Sequence, residues 1–228
     1  GDALQSARTL LDAAKARYTP LVLIGPIAET IARTALEQNC DGIVMGTRGL
    51  GAAASVLLGS VASKVLPLAD VPVTLVEYYH AGFDHYFITW VAAEMALLDA
   101  GSIKGWARTG LTIPALMGAV AGTAAVCRIY IPPGKGDGHF FGRDATECDG
   151  TMAKNPTFVL ESAAFFHLYP PSAGICPAGM VAVYRVYSNR ADANHRYTID
   201  RTVRDAMVAK GWVAEGDGPD VVAMCAPA

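Results

Sequence analysis

Apolar positions in the first third of the chain alternate between helical and strand spacing. Leu4, Ala7, Leu10, Leu11 and Ala14 recur on one helical face, which predicts a helix over 3–17. Leu21-Val22-Leu23-Ile24-Gly25 is a short continuous apolar run and predicts a strand. Pro26 then suits the first turn of a helix reaching about Gln38, because its missing N–H does no harm there. Asp41–Met45 and Val71–Val76 predict two more buried strands, with a helix over 59–68 between them. Strands alternating with helices predict a parallel, doubly wound α/β sheet, with ligands bound beyond the carboxyl ends of its strands.

From Tyr78 the pattern changes, and three passages share one grammar. The first runs Glu77-Tyr78-Tyr79, Asp84-His85-Tyr86-Phe87, Glu94 and Gly105-Trp106-Ala107-Arg108. The second runs Cys127-Arg128-Ile129-Tyr130, Gly138-His139-Phe140-Phe141, Asp144, Glu147 and Phe158-Val159-Leu160-Glu161. The third runs Tyr184-Arg185-Val186-Tyr187, Asn194-His195-Arg196-Tyr197, Asp200, Arg204 and Gly211-Trp212-Val213-Ala214-Glu215. His85, His139 and His195 stand 54 and 56 residues apart, which marks an internal repeat. Each unit predicts an aromatic strand, a turn, a histidine-bearing strand, a short helix and a third strand. One unit cannot bury its apolar face alone, whereas three together can. The expectation is an α+β domain of about 150 residues with three pseudo-symmetric repeats, about 78–118, 126–171 and 180–228.

The candidate chemistry of the first part is a glycine loop. Gly46-Thr47-Arg48-Gly49 is followed by nine residues and then Gly59-Ser60-Val61, which open a helix. Glycines let the backbone approach a bound group, and the helix N-terminus offers N–H donors to an anion. This Gly-x2-Gly-x9-Gly-Ser pattern resembles the nucleotide-binding signature of the universal stress protein family, over about residues 2–77. The resemblance implies a partial nucleotide-binding domain at 1–77 that takes ATP. Gly46, Arg48, Gly49, Gly59, Ser60 and Val61 would hold its phosphates. Members of that family open with a strand carrying an adenine-contacting aspartate, which has no counterpart here. The reading is therefore roughly half a domain and a remnant, weak ATP site. Family members dimerise through the last strand, but here Val71–Val76 runs straight into the next unit, which leaves dimerisation open.

The passages at 78–228 resemble a family of bacterial, often extracellular, repeat domains without an established function. The resemblance rests on Tyr78-Tyr79, Asp84-His85-Tyr86-Phe87, Tyr184-Arg185-Val186-Tyr187 and Gly211-Trp212 with Glu215-Gly216. Cys127, Cys148, Cys176 and Cys225 all fall in this region, and three pairings are open to them. Cys127 with Cys148 and Cys176 with Cys225 would each close one repeat-sized loop. Two bridges suit an oxidising compartment, whereas the stress-type part implies the cytoplasm.

Composition removes some classes. Charged residues are 17% and hydrophobic ones 52%, so the chain is globular rather than disordered. A net charge of −3 gives no footprint for nucleic acid. Leu111 to Cys127 is uncharged, but Pro114, Gly118 and Gly122 make it a strand and a pliable connection rather than a membrane span. No Cys-x2-Cys pair is present, so no metal is expected. Ser162, His167 and Asp144 could nominally form a triad, and Glu147 with Glu161 a carboxylate pair, but nothing in the sequence fixes either geometry.

Two functions follow. One is a non-catalytic stress-type protein with a remnant ATP loop and a recognition module of unknown ligand. The other is an extracellular carbohydrate- or protein-binding module with the stress-type part as an appendage. In the second, Tyr79, Trp106, Tyr187 and Trp212 would supply stacking faces. The plainer role for the tryptophans is core packing, and for the three histidines structural hydrogen bonding.

Overall fold

The computed structural model describes residues 4–38, 40, 43, 61–65 and 72–228. Gly46, Arg48, Gly49, Gly59 and Ser60 lie outside these residues, as does most of the expected 41–45 strand.

The helical periods of the first part fold as helices: α1 (Gln5–Ala13), α2 (Ile27–Glu37) and α3 (Ala62–Val65). Ala28 and Ala32 of α2 and Val65 of α3 are buried, whereas α1 buries nothing. The expected strand over 21–25 is corrected: it is not in a sheet, and Val22 and Ile24 are 85% and 99% exposed. An apolar run becomes a buried strand only when neighbours pair its edges, and no described strand lies beside it.

The second correction concerns Val71–Val76. Its residues from Pro72 form the start of β1 (Pro72–His80), which continues unbroken through the seam at Glu77. β1 pairs antiparallel with β3 (Trp106–Leu116) on one edge and β2 (His85–Thr89) on the other. Every pairing among the described strands is antiparallel, so no parallel doubly wound sheet is formed by them. The fold class is a mixed α/β protein with a large antiparallel sheet.

Three segments then follow the same order of strand, strand, helix and strand. The first is β1, β2, α4 (Ala92–Asp99) and β3. The second is β4 (Ala124–Ile131), β5 (Gly138–Gly142), α5 (Ala145–Lys154) and β6 (Val159–Leu168). The third is β7 (Met180–Tyr187), β8 (His195–Thr198), α6 (Arg201–Ala209) and β9 (Val213–Glu215), with β10 (Met224–Pro227) after it. In each, the leading strand lies between the second and third strands. Asp144 and Asp200 cap α5 and α6 by accepting from the backbone N–H groups of Glu147 and Thr202.

Six strands form one sheet in the order β2-β1-β3-β6-β4-β5, and β10, β7, β8 and β9 form the other. The sheets meet where Tyr169 exchanges backbone hydrogen bonds with Cys225, at 2.8 and 2.9 Å. One apolar cluster unites all three segments: Leu75 and Ile113, Val126 and Phe166, Val183 and Met224. The uncharged run at 111–127 is the end of β3, a turn and the start of β4. No helix among the described residues is long and apolar enough to cross a membrane. Disulfides join Cys127 to Cys148 and Cys176 to Cys225, the pairing expected from loop size.

Candidate functional site

Each leading strand carries one charged residue where an apolar one would be ordinary: Glu77, Arg128 and Arg185. All three are buried. At Glu77 and Arg128 the ladder register slips, and a bulge of this kind re-aims a side chain. Two residues later on the same strand face stand Tyr79, Tyr130 and Tyr187.

Arg128 donates through Nε to Glu161 (2.7 Å) and through Nη1 to Glu94 of α4 (2.8 Å). Its guanidinium lies over the Phe165 and Phe87 rings, at 4.8 and 5.3 Å from their centroids. Arg185 repeats the arrangement, donating to Glu215 (2.8 Å) and in bidentate fashion to Glu147 of α5 (2.7 and 2.9 Å). Glu77 is inverted in charge and accepts from Arg196 of β8 (2.8 and 3.0 Å) and from Thr109 (2.8 Å). The pairs run from the first segment to the second, the second to the third and the third to the first. They close a ring of ion pairs around the module, each with at least one buried partner.

Electrostatics follow from burial against these partners. Burial opposes ionisation of Glu147, but the Arg185 hydrogen bonds and charge outweigh it and hold the carboxyl below its ordinary range. Glu161 is likewise opposed by burial, yet His139 and Arg128 bring it down. Burial wins at Glu215, whose carboxyl is raised. Burial, reinforced by the Arg185 charge, depresses His195 to about 3. That imidazole is neutral at pH 7, so its 3.4 Å contact with Glu215 is not an ion pair. Burial also lowers His85, with Asp192 opposing.

One cleft opens at the seam between the first and second segments, and another at the seam between the second and third. The first, of about 270 Å³, has Tyr86, Phe87, Trp106 and Ile103 as walls, with Glu94, Tyr130, Asp137 and His139 as its polar groups. The second, of about 450 Å³, has Phe140 and Phe158 as walls, with Glu147, Tyr187 and His195 among its polar groups.

The structure separates the residues singled out in the sequence. Trp106 and Tyr187 each line a cleft, and Tyr187 stacks on His195 with centroids 5.0 Å apart. Tyr79 packs against Tyr86 and donates to Asp84 (3.1 Å), and lines neither cleft itself. Trp212 is 6% exposed and packs with Val186 and Met207, the plainer of its two expected roles. Val61 precedes α3 and is half-buried. His167 contacts the Met117 carbonyl (3.2 Å), Asp144 caps α5, and Ser162 accepts from the Ala164 N–H, so no triad forms. Glu147 and Glu161 serve different arginines. Among the described residues no cluster of three or more His, Cys, Asp or Glu is placed to hold a metal. The arginines and Glu94 carry a signal in the sequence: an isolated charge inside an apolar strand, matched by a glutamate at the same place in the helix.

Comparison with known proteins follows this division. The model for the universal stress protein family matches residues 2–77, and that for a domain of unknown function (DUF5648) matches residues 74–222. The two matches overlap within β1, the strand that crosses the seam. Over 61 residues the chain is 50% identical to the universal stress protein in the QAH/OAS sulfhydrylase 3′ region of Thermus aquaticus. That stretch is 27% of this chain and 44% of the relative, so the chain spans less than half of that relative's length. No solved structure matches. The second model covers well over half of the 228 residues, and the chain therefore belongs to the DUF5648 family, with a universal-stress-type segment ahead of that domain.

Proposed function

We propose that this is a non-catalytic, stress-type protein whose β-rich part, about 78–228, is a recognition module of three copies of one unit. Its ligand sits at the seams and is a carbohydrate. The carrying observation is the cleft beside Trp106, where aromatic walls face fixed hydrogen-bond acceptors. A sugar ring would lay its C–H face on Trp106 and donate hydroxyls to Glu94 and Asp137. The cation lining the cleft is already engaged. Arg128 is held by Glu94, Glu161 and His139. Such a site binds without turnover.

A glycan array probed with the intact chain and with Trp106→Ala tests this. The wild type is expected to retain neutral glycans, and the variant to retain them about tenfold more weakly. An array on which the wild type retains nothing overturns the reading.

The 50% identity to a universal stress protein favours a second activity in the first part. Gly46, Arg48, Gly49, Gly59, Ser60 and Val61 would hold the phosphates of ATP through backbone N–H groups and the serine hydroxyl. Calorimetric titration with ATP tests it, and no saturable binding at millimolar nucleotide removes it.

A further inference from the structure

We infer that the chain carries two equivalent saccharide clefts and that its third seam is shut by a charge reversal, so that one chain holds two sugar residues at once. This rests on the carbohydrate reading above and adds the number of sites, their positions and the charge class of the ligand.

The two clefts match position for position. Glu94 and Glu147 are each the third residue of their helix, and each grips the arginine of the next segment, Arg128 or Arg185. Tyr130 and Tyr187 stand two residues beyond those arginines, and His139 and His195 lie on the paired strand. Trp106 opens β3, and Phe158 directly precedes β6. The shared set is thus one aromatic face, one anchored carboxylate, one phenol and one imidazole.

The clefts differ only outside that set. The first adds Asp137, where the second has Ala193, and the second adds Lys154 and the Glu215 carboxylate. Arg128 and Arg185 line the two clefts alike, each paired with its glutamate, so both clefts carry charges of both signs and neither offers one uniform sign to an ionic ligand. A ligand suited to both is neutral, with an apolar face and hydroxyl donors, and a neutral hexose or pentose residue has that chemistry.

At the third seam the same positions carry other residues. Glu77 replaces the arginine, and Val203 replaces the helix glutamate. Arg196 enters to satisfy Glu77 and lies over the Tyr86 ring at 4.0 Å. Arg190 covers Trp212 at 5.4 Å and is fixed by Asp84 at 2.7 Å. At this seam the chain's own guanidinium groups, from Arg196 and Arg190, lie on the aromatic rings. A closed seam locks the third segment to the first and leaves two sites, not three.

Isothermal titration of the full chain with cellotetraose, xylotetraose, chitotetraose and mannotetraose, each in turn, tests the inference. At least one is expected to bind at two sites per chain. Trp106→Ala and Phe158→Ala should each remove one site, and Arg190→Ala should leave both. Phe158→Leu, which keeps apolar volume without an aromatic face, replaces Phe158→Ala if that variant fails to fold. A single site untouched by the Phe158 variants overturns the twin-site inference and spares the carbohydrate reading. Binding of none of the four overturns both.

Discussion

Acidification to pH 5 perturbs the second cleft in a way that can be worked through in numbers. His195 takes its proton only near pH 3 when folded, because it is buried and faces the Arg185 cation. In the unfolded chain an imidazole protonates near 6.5. A histidine with a depressed folded value favours the native state fully above the unfolded value, and that advantage is lost as pH falls through 6.5 toward 3. At pH 5 the deficit is 1.5 units at about 1.36 kcal/mol each, so about 2 kcal/mol relative to pH 8. For a chain of this size that corresponds to a fall of about 4–8 °C in Tm. The groups around the ring do not all push the same way. The raised Glu215 carboxyl offsets part of the loss, whereas the lowered Glu147 contributes only below its ordinary range near 4.5. His85, also depressed, adds to the loss. The clean observable is therefore a difference between two proteins. Calorimetric melts of the wild type and His195→Gln at pH 8 and pH 5 should show the variant losing about 2 kcal/mol less on acidification. Parallel losses would refute a neutral, buried His195 and with it the electrostatics assigned to the second cleft.

Other predictions follow from the ion-pair ring and the disulfides. Arg185→Met strands Glu147 and Glu215 without their shared cation and should cost about 3 kcal/mol, read as a lower urea midpoint. An unchanged midpoint would show the ring to be decorative. Replacing Cys127 and Cys148 by serine opens a loop with a sequence separation of 21 and should cost about 3 kcal/mol. The Cys176 and Cys225 pair, separated by 49, should cost about 4 kcal/mol. Denaturant melts with and without a reductant check both, and the order of the two losses tests the loop-length argument.

Features set by local spacing were legible in the sequence. The spacing of Leu4, Ala7 and Leu10 marked α1, and the strand–strand–helix–strand order of each segment followed from aromatic strands, turn residues and short amphipathic runs. The cysteine pairing followed from loop size. Features that depend on a distant partner were not legible. Leu21–Ile24 has the composition of a buried strand, but burial requires neighbours that its own residues do not supply. Pro72–Val76 reads equally well as a parallel or an antiparallel strand, and only its register with Thr112–Leu116 decides. Trp106 and Trp212 occupy the same slot, yet one lines a cleft and the other is buried, because Arg190 and Arg196 reach in from elsewhere in the chain. The charged residues at 77, 128 and 185 were visible, but their pairing across segments was not.

The recognition role of the Trp106 cleft can be read from three signals. The chain has three tryptophans, and their indole N–H groups give separate peaks in a ¹H–¹⁵N spectrum. Trp90 donates to the Phe165 carbonyl at 3.0 Å and packs on the Phe165 ring, Trp212 is enclosed, and Trp106 lines the cleft. Titration with the four neutral tetrasaccharides should move the Trp106 peak and leave the other two in place. Three stationary peaks with every sugar, or movement confined to Trp212, would contradict the account.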